Sequence, residues 1–210
     1  MRRTKEEAEA TRLCIMSSAL ELFSEKGIAA TSLADIALSA GVTRGAIYWH
    51  FKNKWDLFDG LWEHYSSPLT VLGAASASDD QVDPLGKFVE LLRLVLVGAE
   101  QDQNIRRLVT LYTRETSVLS NDDMPERMRA LENDLHTRRV RALENAIKKG
   151  QLPSDLDPEA ASLLIKVMVD GLIVSWLRSP ECFSLSERAG QFVESIIAVL
   201  QHGARKRTSG

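Results

Sequence analysis

Apolar positions recur at three- and four-residue spacings from one end of the chain to the other, and no stretch of any length alternates with period two. The pattern predicts an all-α protein. A first long helix runs from about Glu7 to Lys26 with Ile15, Ala19, Leu22 and Phe23 as its buried stripe, and Gly27 stops it. Residues 2–9 before that stripe are polar and read as a frayed segment. Two short helical patterns follow between Thr31 and Lys54. In the first, Leu33, Ile36, Ala37 and Ala40 share one face, and Ser32 with Asp35 three residues on forms a capping box. Gly41 marks the turn, because glycine enters the left-handed region without steric cost. Thr43 is an N-cap for the second pattern, Arg44 to about Phe51.

That second helix is poorly explained as core alone. Ala46, Ile47 and Phe51 can pack inward, which leaves Arg44, Gly45, Tyr48, Trp49, His50, Lys52 and Lys54 for the rest of a helix barely two turns long. A glycine inside a helix costs about 1 kcal/mol relative to alanine, and close approach to a phosphate backbone or a base edge is a reason to carry it. The free N–H groups at the helix start suit a phosphate. The pair reads as a helix-turn-helix, and Arg2, Arg3 and Lys5 ahead of it are either a minor-groove arm or a solvated tail.

A fourth pattern starts at Lys54 with no flexible linker and carries Trp55, Leu57, Phe58, Leu61, Trp62 and Tyr65 to Pro68 or somewhat beyond. The small and polar run 73–82 reads as a loop. Asp83 and Pro84 open the next helix as cap and first residue, with Phe88, Leu91, Leu92, Val95 and Ala99 at helical spacing. Helices are further predicted over 105–118 and 125–149, separated by a breaker-rich turn at 120–125. Asp157 and Pro158 open another, ending near Arg178. This one carries two stripes, one through Leu163, Leu164, Val167 and Met168 and one through Ile165, Val169, Ile173 and Leu177. A helix apolar on both sides is buried on both sides, so one side faces its own domain and the other a second subunit. The last helix, about 185–202, is equally broad, and the two together predict a homodimer.

The run TRGAIYWHFKNK (43–54), the opening RRTKEEAEATR, and the later GQLPSDLDPEAA and DGLIVSWL carry a resemblance. They resemble the TetR family of transcriptional repressors, and most of all its AcrR branch, which controls multidrug efflux pumps. The likeness is dense over the first quarter of the chain and patchy beyond it. It implies an N-terminal three-helix DNA-binding domain (1–54, motif 32–51), to which the fourth helix connects a helical ligand-binding and dimerisation domain (55–210). Thr43, Arg44, Gly45 and Ala46 then approach the major groove, Arg44 being the best base reader because its fork matches guanine O6 and N7. Tyr48, Trp49 and His50 would meet phosphates, Lys54 would hold the DNA backbone, and Ser32 is a phosphate candidate as well as a cap. The resemblance further implies a pocket for small, mostly apolar molecules whose occupancy releases DNA by shifting the fourth helix. Trp62, Tyr65, Phe88, Leu92, Tyr112 and Trp176 suit its walls. Asp170, a carboxylate in an otherwise apolar helix, suits a basic or hydroxyl-bearing ligand or simply a pair with Lys166, and Glu115 is a weaker candidate. One departure stands out: where AcrR-type repressors carry an HKCEF-like segment, this chain reads YTRETSV.

Charge narrows the picture. Lys and Arg total 26 against 29 Asp and Glu, a net charge of −3, so any DNA contact comes from a local positive face. The two cysteines, Cys14 and Cys182, match no metal or redox spacing. The four histidines (50, 64, 136, 202) are scattered, and no nucleophile elbow, phosphate loop or dinucleotide fingerprint occurs. The expectation is a cytoplasmic, non-enzymatic homodimer without cofactor, metal or membrane partner. It would bind a palindromic operator, since protein two-fold symmetry is mirrored in the site. Two alternatives remain: a regulator of metabolism or stress with an unrelated ligand, and a helical ligand-binding protein that docks a protein partner through 44–52.

Overall fold

The computed structural model describes residues 5–116 and 125–202, and among these the chain forms ten helices and no extended strand. The first four are α1 (Lys5–Lys26), α2 (Leu33–Ser39), α3 (Arg44–His50) and α4 (Lys54–Tyr65). Helix α1 starts earlier than its apolar stripe suggests. Lys5–Glu9, expected to fray, lie within it, with Glu6 and Glu7 in the first turn, where the helix dipole favours carboxylates. Arg2 and Arg3 fall outside the described residues. The buried stripe of α1 is Ile15, Met16, Ala19, Leu20 and Phe23, whereas Leu22 is only half-buried. Ile36, Ile47, Phe51, Leu57 and Leu61 close around it, all essentially without exposure. At about 1.5–3 kcal/mol for each large apolar side chain, that burial is ample to hold two short helices in place.

The remaining helices are α5 (Ser67–Ala77), α6 (Pro84–Gln101), α7 (Gln103–Thr116), α8 (Glu126–Lys148), α9 (Pro158–Arg178) and α10 (Leu185–His202). Two sequence expectations fail at α5. Helix α4 stops at Tyr65, where the Ser66 N–H closes it on Trp62 O at 2.9 Å, and Pro68 sits in the first turn of α5, where no N–H is needed. Residues 73–77, expected as loop, are the last turns of α5. Their small side chains show no apolar stripe but let α5 lie close on α6 and α8, and a Cβ on Gly73 would meet Leu91 at 3.7 Å. Helix α7 begins two residues before its expected start, under Asp102, which accepts from the Asn104 and Ile105 N–H groups at 2.8 and 3.1 Å. The turn expected at 120–125, apart from Pro125, and the basic residues 205–207 lie outside the described residues.

Buried side chains form two cores. Helices α1–α4 fill the first, together with Leu108 and Leu111 of α7 and Met128 of α8. The second is built from α6–α10 and includes Ile105 and Val109 of α7. Helix α7 therefore contributes one face to each core. Of the two stripes on α9, Ile165, Val169 and Ile173 are buried, while Leu163 and Val167 are each 60% exposed. By length and composition alone α9 is apolar enough to cross a membrane, with a mean hydropathy of 1.8. Lys166 and Asp170 interrupt it and pair with each other.

Candidate nucleic-acid interface and internal cavity

The geometry of α2 and α3 follows from their caps. The Asp35 N–H donates to Ser32 Oγ at 3.1 Å, and the Ser32 N–H and hydroxyl donate to the Asp35 carboxylate at 3.0 and 2.6 Å. Those bonds, the hydroxyl's first, hold the Asp35 carboxyl below its ordinary pKa. Ser32 is exposed, but its hydroxyl is already given to Asp35. Gly41 turns the chain at φ +64°, and with no atom within 4 Å of an added Cβ only its backbone conformation requires glycine. Thr43 caps α3 by accepting from the Ala46 N–H at 3.2 Å.

Ile47 and Phe51 anchor α3 in the first core. What they leave outside is a coherent face: Thr43, Arg44 and Gly45 are exposed, Ala46 and His50 half-buried, and Tyr48 and Trp49 exposed at 52% and 72%. Trp49 stands edge-on to His50 with ring centroids 4.5 Å apart. A Cβ built on Gly45 meets nothing nearer than Thr43 Oγ1 at 3.8 Å. The fold itself therefore has room for alanine at this position. Lys54 lies at the base of the unit and donates to the carbonyls of Ala29 and Thr31 at 3.2 and 3.0 Å, which ties α4 to the α1–α2 loop.

A cavity of about 170 Å³ opens between α4, α5, α6, α7, α8 and α9. Trp62, Phe88, Leu92, Tyr112 and Asp170, all singled out from sequence, lie on its walls. Tyr65, Glu115 and Trp176 lie elsewhere. Tyr65 packs against the first core, where burial raises its phenol pKa. Trp176 is buried in the second core under the Arg106 guanidinium, 5.0 Å from its ring. Glu115 accepts from the Ile28 N–H at 3.1 Å, beside the turn that ends α1. Its neighbour Arg114 donates to the Glu25 and Ser24 carbonyls at 2.6 and 3.3 Å. A cation there suits the negative end of the α1 dipole. The departing segment 112–115 thus runs from the cavity, where Tyr112 and Thr113 line the wall, to the end of α1. A second path runs along α4 to α7: the rings of Trp55, Phe58, Trp62 and Tyr112 follow one another with centroids 5.8, 5.9 and 6.0 Å apart, the first pair edge-on and the other two tilted.

The walls also hold residues that sequence reasoning missed. Leu69, Thr70 and Ser76 come from α5, whose later turns were read as loop, and Arg138, Arg139 and Lys166 are long cations on α8 and α9. Lys166 pairs with Asp170 at 2.5 Å and sits over the Tyr112 ring, 4.9 Å from its centroid. The Tyr112 hydroxyl donates to Glu132, which also accepts from Arg139 at 2.9 Å. The only sequence signal for these residues was the Lys166–Asp170 spacing.

Residues 15–61 match bacterial regulatory proteins of the tetR family, and residues 83–202 match the C-terminal region of MAATS-type transcriptional repressors. The chain is 40% identical over 204 residues to the HTH-type transcriptional regulator TtgR of Pseudomonas putida, the alignment covering 96% of each chain. It is 34% identical to the HTH-type transcriptional regulator AcrR of Shigella flexneri, covering 93% of this chain and 92% of that one. Among solved structures, NalD of Pseudomonas aeruginosa, described as the secondary repressor of the MexAB-OprM multidrug efflux pump, superposes with a TM-score of 0.72. It is 29% identical, over 93% of this chain and 98% of that one.

Proposed function

Since this chain belongs to the TetR family of bacterial transcriptional regulators, we propose that it represses a multidrug efflux operon in the cytoplasm as a homodimer. In this reading it leaves a palindromic operator when a small molecule fills the α4–α9 cavity. The observation that carries the reading is the α3 face. A helix anchored through Ile47 and Phe51 presents Arg44, Gly45, Tyr48 and Trp49 outward, although a tryptophan 72% exposed gains little burial from the fold. Arg44 reads a base edge beside Thr43, Gly45 and Ala46, while Tyr48, Trp49 and His50 position the helix on phosphates; Lys54 gives two of its three donors to the Ala29 and Thr31 carbonyls and has the third for a phosphate. Ser32 serves chiefly as the cap of α2, since a phosphate contact would turn its hydroxyl away from Asp35. The efflux assignment draws on the description of NalD. The exposed α9 residues Leu163 and Val167, with Val199 of α10, supply an apolar surface for the second subunit.

Release requires that the ligand bind the DNA-incompetent conformer more tightly than the other; affinity alone shifts nothing. Helices α4 and α7 both touch the cavity and the first core, so a ligand that moves either one moves α1 and with it the spacing of the two recognition helices. Titration of duplex DNA at several salt concentrations tests the reading. Phosphate contacts release counterions, so log affinity should fall steeply with log salt, and Trp49→Ala should weaken binding at every salt. A shallow slope, unchanged by Trp49→Ala, would instead favour docking of a protein partner through 44–52.

A further inference from the structure

The charges on the cavity wall are lopsided. Arg138, Arg139 and Lys166 line it, against one carboxylate, Asp170. The acids that pair with the two arginines are not on that wall. Arg138 binds Asp134, which is 53% exposed, and Arg139 binds Glu132, which takes the Tyr112 hydroxyl as well. Lys166 and Arg139 therefore converge on one tyrosine, the lysine over its ring and the arginine on the carboxylate that holds its hydroxyl. The α6 wall is apolar, with Phe88, Leu91, Leu92 and Val95.

From this juxtaposition, and resting on the effector-cavity reading above, we infer that the cavity selects small organic anions: an apolar, preferably aromatic body against α6 and one carboxylate or phenolate against Lys166 and Arg139. A cation of the same shape meets three cationic groups on the wall and one carboxylate, which is already paired with Lys166, while the carboxylates that pair the two arginines stand off that wall. An anion meets the reverse. It can share Lys166 with Asp170, because an ammonium has three donors and the aspartate occupies one. The hydroxyls nearby do not reverse this preference. Thr113 donates to its own helix at 2.8 Å, Ser76 does so at 2.9 Å, and Ser66 and Thr70 are bonded to each other.

The test is calorimetric titration of the full-length protein with three isosteric probes: naphthalene-2-carboxylate, its neutral carboxamide and naphthalen-2-ylmethylammonium. The carboxylate should bind at least tenfold more tightly than the ammonium compound, with the carboxamide between them. Two substitutions should move the order in opposite directions. Asp170→Asn removes the competing carboxylate and widens the gap, whereas Lys166→Met leaves Asp170 as an unpaired acid and narrows or reverses it. Val169→Trp, which fills the cavity from α9, should abolish binding of all three probes and so locate them. Equal binding of the three, or a preference for the ammonium compound, overturns the inference and leaves the effector-cavity reading standing. Absence of binding by all three, or binding that survives Val169→Trp, overturns both.

Discussion

Replacing Gly45 by alanine sets the needs of the fold against those of DNA. Gly45 lies in the first turn of α3, its backbone is not in the left-handed region, and an added Cβ has open space around it. Alanine is preferred to glycine within a helix by about 0.8–1 kcal/mol. The substitution should therefore stabilise the protein by a few tenths up to about 1 kcal/mol, the lower figure applying if the first turn is still frayed. In a chain of this size 1 kcal/mol corresponds to a rise in Tm of about 2–4 °C. If α3 lies against DNA, the same methyl group stands between the helix and the groove. Holding the helix off far enough to lose one charge-assisted hydrogen bond costs about 1.5–3 kcal/mol, or roughly ten- to a hundredfold in affinity. Thermal unfolding and fluorescence anisotropy on one preparation read the two effects side by side. The two effects should have opposite signs: a more stable protein that binds DNA less well. A variant that is stabilised and binds operator as tightly as the parent would refute the placement of Gly45 at the contact.

Other perturbations reach different parts of the account. Arg44→Ala should cost about 1–3 kcal/mol at one position of the site and relax specificity there; an equal loss on all sequences would make Arg44 a phosphate contact instead. Arg114→Ala combined with Glu115→Ala cuts the polar tie between α7 and the end of α1. It should leave ligand affinity intact in calorimetry while weakening ligand-driven release of DNA; full release would take the signal off these two side chains and leave it to α4 and to the Leu108, Leu111 and Arg107–Glu21 contacts of α7. Thr43→Ala removes the α3 cap and should lower stability by about 1 kcal/mol, read from chemical denaturation. Asp35 offers a pH test. Its folded pKa is depressed, so its contribution is present above the unfolded carboxylate range and is lost as pH falls through the folded value. Asp35→Asn should therefore reduce stability at neutral pH and narrow its gap to the parent in acid; a constant gap across that range would mean that Asp35 does not titrate in the cap.

The legible parts of this molecule are those where a local rule has a single solution. Ser32 with Asp35, Thr43, Asp83–Pro84 and Asp157–Pro158 mark helix starts by their own hydrogen-bonding and backbone constraints, and each starts a helix in the structure. The α3 surface was legible for the opposite reason, because its aromatic and basic residues fit no buried stripe. Helix α5 was hidden because Gly, Ala and Ser carry no hydrophobic period even where they pack closely. Pro68 reads equally well as a stop and as a first-turn residue, and only the Ser66 break decides between them. The cavity was half legible. Its aromatic and aliphatic walls follow from helical stripes, but Arg138 and Arg139 look like solvated charges on a polar helix until α8 is packed against α9, where Arg139 donates to Glu132 and Ser162 and Arg138 pairs with Asp134. Tyr65 and Trp176 were indistinguishable from cavity residues because an aromatic on a buried face serves either purpose.

The central claim, that two α3 helices of one dimer read DNA and yield it to a ligand, is tested most directly by selecting a random duplex library with the purified protein at physiological salt and sequencing the bound fraction. The bound fraction should carry a palindrome whose half-sites lie about one helical turn, roughly 34–36 Å, or a multiple of it apart. Repeating the selection with Arg44→Ala should still enrich the palindrome but relax it at the position that Arg44 reads. A folded dimer that enriches no sequence would contradict the claim.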